Sequence, residues 1–340
     1  MTQRSAREIR RFGAGVMAGF GALVVSVMAI GFGIAHFAPE RMPAPAVSRV
    51  VHLDEKLRFI RERPDLDPVL LAVGSSVTWR QIDGEPIEPV AGGPGRFFNG
   101  GTGLLQIHQT RATMAFYLDH FPNVRSLLVM VSLPDFGDCT TMPAYLFEME
   151  DASRYAFQDW PAPYFYLRYV SPQRYLRTVL ELPKKRTPYR GELFHDAYGS
   201  SPLQVPEDLQ RGLRYGQLPT DDACVAELEG LLADAVARDV EPMLVFAPVH
   251  PDYRVEYPRE MAWLDKVAAY AKGLVERDGR GIVIDLTDDH PFTDDDFFDA
   301  FHLQWSAVRQ LAVTIAGAIP TMPPATPETT PAPRAISDAG

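Results

Sequence analysis

Cysteine is nearly missing from this sequence: Cys139 and Cys224 are the only two in 340 residues. Two thiols without clustered histidines argue against a zinc site, and their spacing leaves a disulfide and two buried thiols equally open. Positive charge is scarce as well, with 33 Lys and Arg against 44 Asp and Glu and a net charge of −11. Gripping a polyanion needs a concentrated basic face, so nucleic acid is not an expected partner. The one basic cluster, Lys184-Lys185-Arg186, reads as a solvated loop, with contact to anionic headgroups or glycan as the alternative. Internal repeats are absent. The acidic loop of Asp288-Asp289-His290 and Asp294-Asp295-Asp296 lacks the alternating ligands of a calcium loop and reads as solvated surface. Neither a metal nor an organic cofactor is expected.

What is present is distributed unevenly. Gly13 to Ala35 carries no charge and is long enough to cross a hydrocarbon core of about 30 Å as a helix, which predicts a membrane anchor over residues 13–37. Residues 1–12 hold Arg4, Arg7, Arg10 and Arg11, whereas the far flank offers His36, Glu40 and Arg41. The positive-inside rule then leaves the N-terminus in the cytoplasm and everything after about residue 40 outside. Residues 45–320, within a chain that is 46% hydrophobic, read as one folded extracytoplasmic domain. Residues 321–340, rich in Pro, Thr and Ala, read as a disordered tail.

Within the domain, Val69–Val73, Ser126–Val131, Met243–Ala247 and Gly281–Asp285 are apolar runs but for the terminal Ser126 and Asp285, as expected of strands buried on both faces. Helical patterns over 104–120, 225–238, 258–272 and 305–319 separate and follow them. This alternation predicts an α/β fold, three layers around a parallel sheet, preceded by a transmembrane helix. An aromatic-rich stretch at about 140–220 breaks the rhythm and reads as an insertion over the active face, either a small core of its own or a lid.

In such sheets reactive groups collect at the carboxyl ends of strands. Gly74-Ser75-Ser76 stands at one such end, and Asp299-Ala300-Phe301-His302 precedes the final helix. A carboxylate three residues before a histidine can orient the imidazole that deprotonates a serine, which makes Ser76, His302 and Asp299 the candidate catalytic residues. Arg80, soon after Ser76, is a candidate for an anionic substrate group or a surface ion pair. His250 follows the third of these strands and is a candidate substrate contact or a structural histidine.

With these motifs the chain resembles the SGNH (GDSL-type) hydrolases, a flavodoxin-like family of esterases and acyltransferases. The likeness runs over about 66–320 outside the insertion. Gly74-Ser75-Ser76-Val77 matches the first block, with Ser75 for the usual Asp; this variant is similar to membrane-anchored relatives that modify envelope polymers, such as alginate O-acetyltransferase components and the D-alanyl-lipoteichoic acid transfer protein. The second block falls on Asn99-Gly100-Gly101-Thr102-Gly103, and implies an oxyanion donor at Gly103 or Gly101 beside the Ser76 N–H. The third falls on Ser132-Leu133-Pro134-Asp135, where Pro134 replaces an asparagine donor, so Asn99 or Ser75 would have to substitute. Asp135 would fix that loop or contact substrate. The fourth is Asp299-Ala300-Phe301-His302-Leu303.

The resemblance implies a serine esterase or acyltransferase on the bacterial cytoplasmic membrane, acting in the periplasm or outside the cell on ester groups, acetyl foremost, of an envelope or exported polysaccharide. It also implies a multi-span partner that delivers acyl groups. A catalytically weak binding or assembly subunit is the competing expectation, and a metal-dependent phosphoesterase using the acidic loop is a third.

Overall fold

The computed structural model describes residues 3–37, 41–48, 50–170, 172–210 and 212–322. Nearly all of the tail expected at 321–340 lies outside them. Strands with apolar side chains on both faces need cover on both faces. Leu70–Gly74 (β1), Phe97–Asn99 (β2), Ser126–Val131 (β3), Glu241–Phe246 (β4) and Ile282–Asp285 (β5) form one all-parallel sheet in the order β2-β1-β3-β4-β5. The α/β fold expected from sequence is the one observed. β2 has no counterpart in the sequence reading, because three residues are too few to show a period.

The helices in chain order are α1 (Gln3–Phe37), α2 (Val51–Arg61), α3 (Ser76–Arg80), α4 (Gly84–Ile87), α5 (Ile107–His120), α6 (Met149–Ala156), α7 (Ala162–Arg168), α8 (Pro172–Lys185), α9 (Asp222–Ala237), α10 (Pro251–Glu256), α11 (Pro258–Asp278) and α12 (Trp305–Ala318). From β1 to β2 the chain steps one way across the sheet, and from β2 to β5 it steps the other. Right-handed crossovers therefore put α3 and α4 on one face and α5, α9 and α11 on the opposite one. The packing agrees: α5 lies against α9 and α9 against α11, while α12 lies against α4. The reversal leaves a crevice at the carboxyl ends of β1 and β3, where ligands bind in open sheets of this kind.

Within α1, Arg11–Ile34 is a stretch of 24 residues long and apolar enough to cross a membrane. Phe20, Leu23, Val25 and Ile30 are exposed around its circumference, so no protein core receives them.

Cys139 and Cys224 are joined in a disulfide, which decides the question their spacing left open. Asp221 reinforces the same junction by accepting the Cys139 N–H at 2.9 Å and capping α9 through the Ala223 N–H at 2.9 Å. The bond closes a loop of 85 residues. Replacing both cysteines with alanine is expected to cost about 2–5 kcal/mol, because the unfolded chain regains that loop's freedom. Urea denaturation of the oxidised wild type beside the variant measures it, and equal midpoints would contradict the expectation.

The aromatic-rich stretch does not lie over the active face as a whole. Tyr155 packs on Phe165 at 5.2 Å and under Arg61 of α2, and Phe157 packs on Phe116, His120 and Phe121 of α5 or its end. These rings form a small core on the flank, the ordinary outcome for clustered apolar area. The parts that border the candidate site come later: His195 packs on Trp79, the Ser201 N–H donates to the Trp79 carbonyl, and Tyr215 reaches His302.

Candidate active site

At the end of β1 the backbone turns sharply into α3. Gly74 takes φ +151, and a Cβ there would overlap Thr78 Oγ1 and come within 2.9 Å of the Met130 carbonyl, so only glycine fits. Thr78 Oγ1 donates to that carbonyl at 2.8 Å and ties α3 to β3. Ser75 is the N-cap of α3 and Ser76 its first residue, partly exposed among buried neighbours. A first helical residue has no intrahelical partner for its N–H.

The histidine arrives from the loop between β5 and α12. Asp299 Oδ1 accepts the N–H groups of Phe301 and His302, each at 3.0 Å, and so folds the Asp-x-x-His segment into a turn. The same oxygen meets His302 Nδ1 at 2.8 Å, and His302 Nε2 lies 2.9 Å from Ser76 Oγ. The three residues singled out from sequence are thus brought together across 226 positions. With Nδ1–H donated to the carboxylate, Nε2 keeps its lone pair for the serine proton. Burial alone would raise the Asp299 carboxyl, but the adjacent His302 and the two N–H donors outweigh it and hold the group below its ordinary value.

Gln81, one residue past α3, clamps the two halves of the site. Its Nε2 donates to the Phe301 carbonyl and its Oε1 accepts the Leu303 N–H, both at 2.9 Å. No motif marks this residue in the sequence; a buried amide satisfied on both sides of the histidine loop is visible only in the fold.

The oxyanion candidates divide. Asn99 is fully buried, and its Nδ2 donates to the Thr78 carbonyl and Ser200 Oγ, each at 2.9 Å. Its Oδ1 accepts the Gly101 N–H at 3.0 Å. Asn99 and Gly101 therefore spend their donors on holding the loop, which corrects the expectation that either faces substrate. Gly103 differs: among the described residues no hydrogen bond leaves its N–H, which keeps it a candidate donor alongside the Ser76 N–H at the start of α3. Leu104, next to it, is a non-glycine residue at φ +68 with its side chain 75% exposed, a strained conformation of the kind that gathers at functional sites.

Two further candidates move away from substrate. Asp135 is 3% exposed, accepts the Ser132 N–H at 2.8 Å and the Ser75 hydroxyl, and so fixes the β3 turn against the nucleophile turn. Burial pushes its carboxyl up to about 7, partly offset by those two donors. His250 is also buried. Its N–H donates to the Ala300 carbonyl at 3.0 Å and its ring packs on Phe297 at 5.1 Å, so it supports the histidine loop from behind.

His250, Asp252 and Asp294 bring ligand-type atoms within 4.8 Å of one another. His250 Nδ1 accepts the Asp252 N–H, however, which leaves Nε2 protonated toward Asp294 at 3.8 Å rather than free to ligate.

Arg80 lies within range of the charge of Asp299 and of Tyr215. Its guanidinium lies 4.9 Å from the Trp79 ring centre, and Trp79 packs in turn on His52 at 4.8 Å, the two rings tilted. A Cβ on Gly103 would come within 3.2 Å of His52 and 3.6 Å of Trp79, so these two rings lie against Gly103. Burial, then the charge of Arg80, lowers His52 to about 4, which keeps that ring neutral near pH 7. On the other side Tyr215 packs on Phe301 at 5.1 Å and reaches His302 at 6.5 Å. Sequence reading passed over His52, Trp79 and Tyr215, because isolated rings in loops and short helices carry no periodic signal.

No protein-family model matches this chain, and no curated protein does. What defines its class is the fold and the site: a parallel α/β domain with a Ser–His–Asp series at the carboxyl edge of its sheet, behind an N-terminal apolar helix.

Proposed function

We propose that the chain is a serine-dependent esterase or O-acyltransferase of SGNH type, anchored by α1 with its domain outside the cytoplasmic membrane. The observation that carries this reading is the hydrogen-bonded series from Ser76 Oγ to His302 Nε2 at 2.9 Å and from His302 Nδ1 to Asp299 at 2.8 Å. In the proposed reaction Ser76 Oγ attacks the ester carbonyl as its proton passes to His302 Nε2. The N–H groups of Ser76 and Gly103 stabilise the oxyanion. Collapse expels the alcohol, which takes the proton from His302, and leaves acyl-Ser76. Water or a sugar hydroxyl, deprotonated by His302, then attacks the acyl group and restores the serine.

Several features support the setting. A disulfide persists in oxidising compartments, in keeping with a domain outside the cytoplasm. The arginines in the first turns of α1, ahead of its apolar span, favour an N-terminus inside. Polysaccharide O-acetyl groups as substrate, and a multi-span protein as acyl source, rest on the resemblance to the anchored relatives.

One observation favours a second reading, a catalytically weak binding or assembly subunit: Pro134 stands where a donor side chain is usual, and Asn99 does not replace it. Labelling with a fluorophosphonate separates the two. The enzyme reading expects covalent modification of the folded wild type that Ser76→Ala abolishes, whereas a folded, unlabelled wild type supports the assembly role.

A further inference from the structure

We infer that Arg80 forms an anion-recognition subsite beside Ser76, so that the ester processed here carries a fixed negative charge, a carboxylate or phosphate, close to its reacting carbonyl. This inference rests on the serine reading above and narrows its substrate class.

The first argument is position. Ser76 and Arg80 are the first and last residues of α3, four apart and so one above the other on one helix face. Side chains on a helix incline toward its N-terminus, which directs Arg80 toward the nucleophile end. Its neighbours point the same way, since Trp79, on which it stacks, also borders Gly103.

The second argument is the absence of a partner. Among the described arginines that are partly buried, every one except Arg80 has a carboxylate partner; examples are Arg58 with Glu62, Arg96 with Asp67 and Arg186 with Glu55. Among the described residues, Arg80 has neither an ion pair nor a hydrogen bond, only its stacking on Trp79. Burial lowers its pKa, and Glu192, Asp299 and Tyr215 act on it only through longer-range charge. Neither carboxylate is spare: Glu192 lies 3.8 Å from Lys185, and Asp299 is spent on His302.

A guanidinium remains charged under these conditions, and a partly desolvated charge without a counterion is costly to keep. That cost is recovered when a ligand supplies the anion. The planar fork suits a carboxylate or phosphate oxygen pair, which the acyl half or the alcohol half of the ester can bring.

The test uses the full chain in detergent and three esters: 4-nitrophenyl acetate, the 4-nitrophenyl monoester of succinate with charge on the acyl half, and 4-acetoxybenzenesulfonate with charge on the alcohol half. The quantity read is the ratio of kcat/KM on each charged ester to that on the neutral one. In Arg80→Gln this ratio is expected to fall about 10–100-fold for at least one charged ester, as for loss of a charge-assisted bond. Arg80→Lys is expected to retain part of it, and the ester affected identifies which half carries the charge. Turnover that requires Ser76, with the same ratios in wild type and Arg80→Gln, overturns the subsite while leaving the serine reading intact. A wild type that turns over none of the three esters overturns both.

Discussion

Ser76→Ala is expected to lower kcat/KM for 4-nitrophenyl acetate by about 10^4–10^6-fold, and His302→Ala by a similar factor. The two residues act as one unit, because the serine proton has nowhere to go without the His302 Nε2 that sits 2.9 Å away. Their double substitution should consequently cost little more than either alone. Ser76 is partly exposed at the start of α3, and alanine loses only a hydroxyl there, so the variant is expected to keep its thermal midpoint. Initial rates at fixed ester concentration, with melting curves on the same samples, check both expectations. Retention of more than a tenth of the wild-type rate in folded Ser76→Ala would remove Ser76 from the chemistry.

For Asp299→Asn the expected loss in kcat is about 10^4-fold, with the fold retained. Asn keeps an oxygen able to accept the Phe301 and His302 N–H groups, now at 3.0 Å from Asp299, so the turn survives. The same oxygen faces His302 Nδ1, so what asparagine removes is the negative charge that stabilises the imidazolium formed as the serine proton arrives. Aspartate also contributes stability through its depressed carboxyl pKa: that contribution is present above the unfolded value of 3.8 and is lost as pH falls through the lower folded value. Acid unfolding of Asp299→Asn beside wild type should show this pH-dependent part removed. An Asn variant with wild-type turnover would mean that the Asp299 charge does not assist the chemistry.

The catalytic trio was legible in the sequence because its parts are local: a glycine-bounded serine after an apolar strand, and a carboxylate three residues before a histidine. The groups that position the trio were not legible. Gln81 contributes through a side chain 222 residues from Leu303, and Asn99 through one 101 residues from Ser200, separations at which no sequence pattern operates. Asn99 and Gly101 looked like donors to substrate because the motif contains them. Once folded, Asn99 holds the Gly101 N–H for itself, and only packing reveals that a donor is already used.

By itself, the sequence determined the strand–helix alternation, the apolar span, and the serine, aspartate and histidine on which the chemistry is proposed to depend. Each of these is written in periodicity or short spacing, which act along the chain. Tertiary structure alone decided that Cys139 bonds Cys224, that His302 meets Ser76, that the aromatic insertion flanks the sheet, and that Arg80 finds no carboxylate partner among the described residues. These depend on which distant groups share one crevice, and the right-handed crossovers that reverse direction between β1 and β3 bring them there.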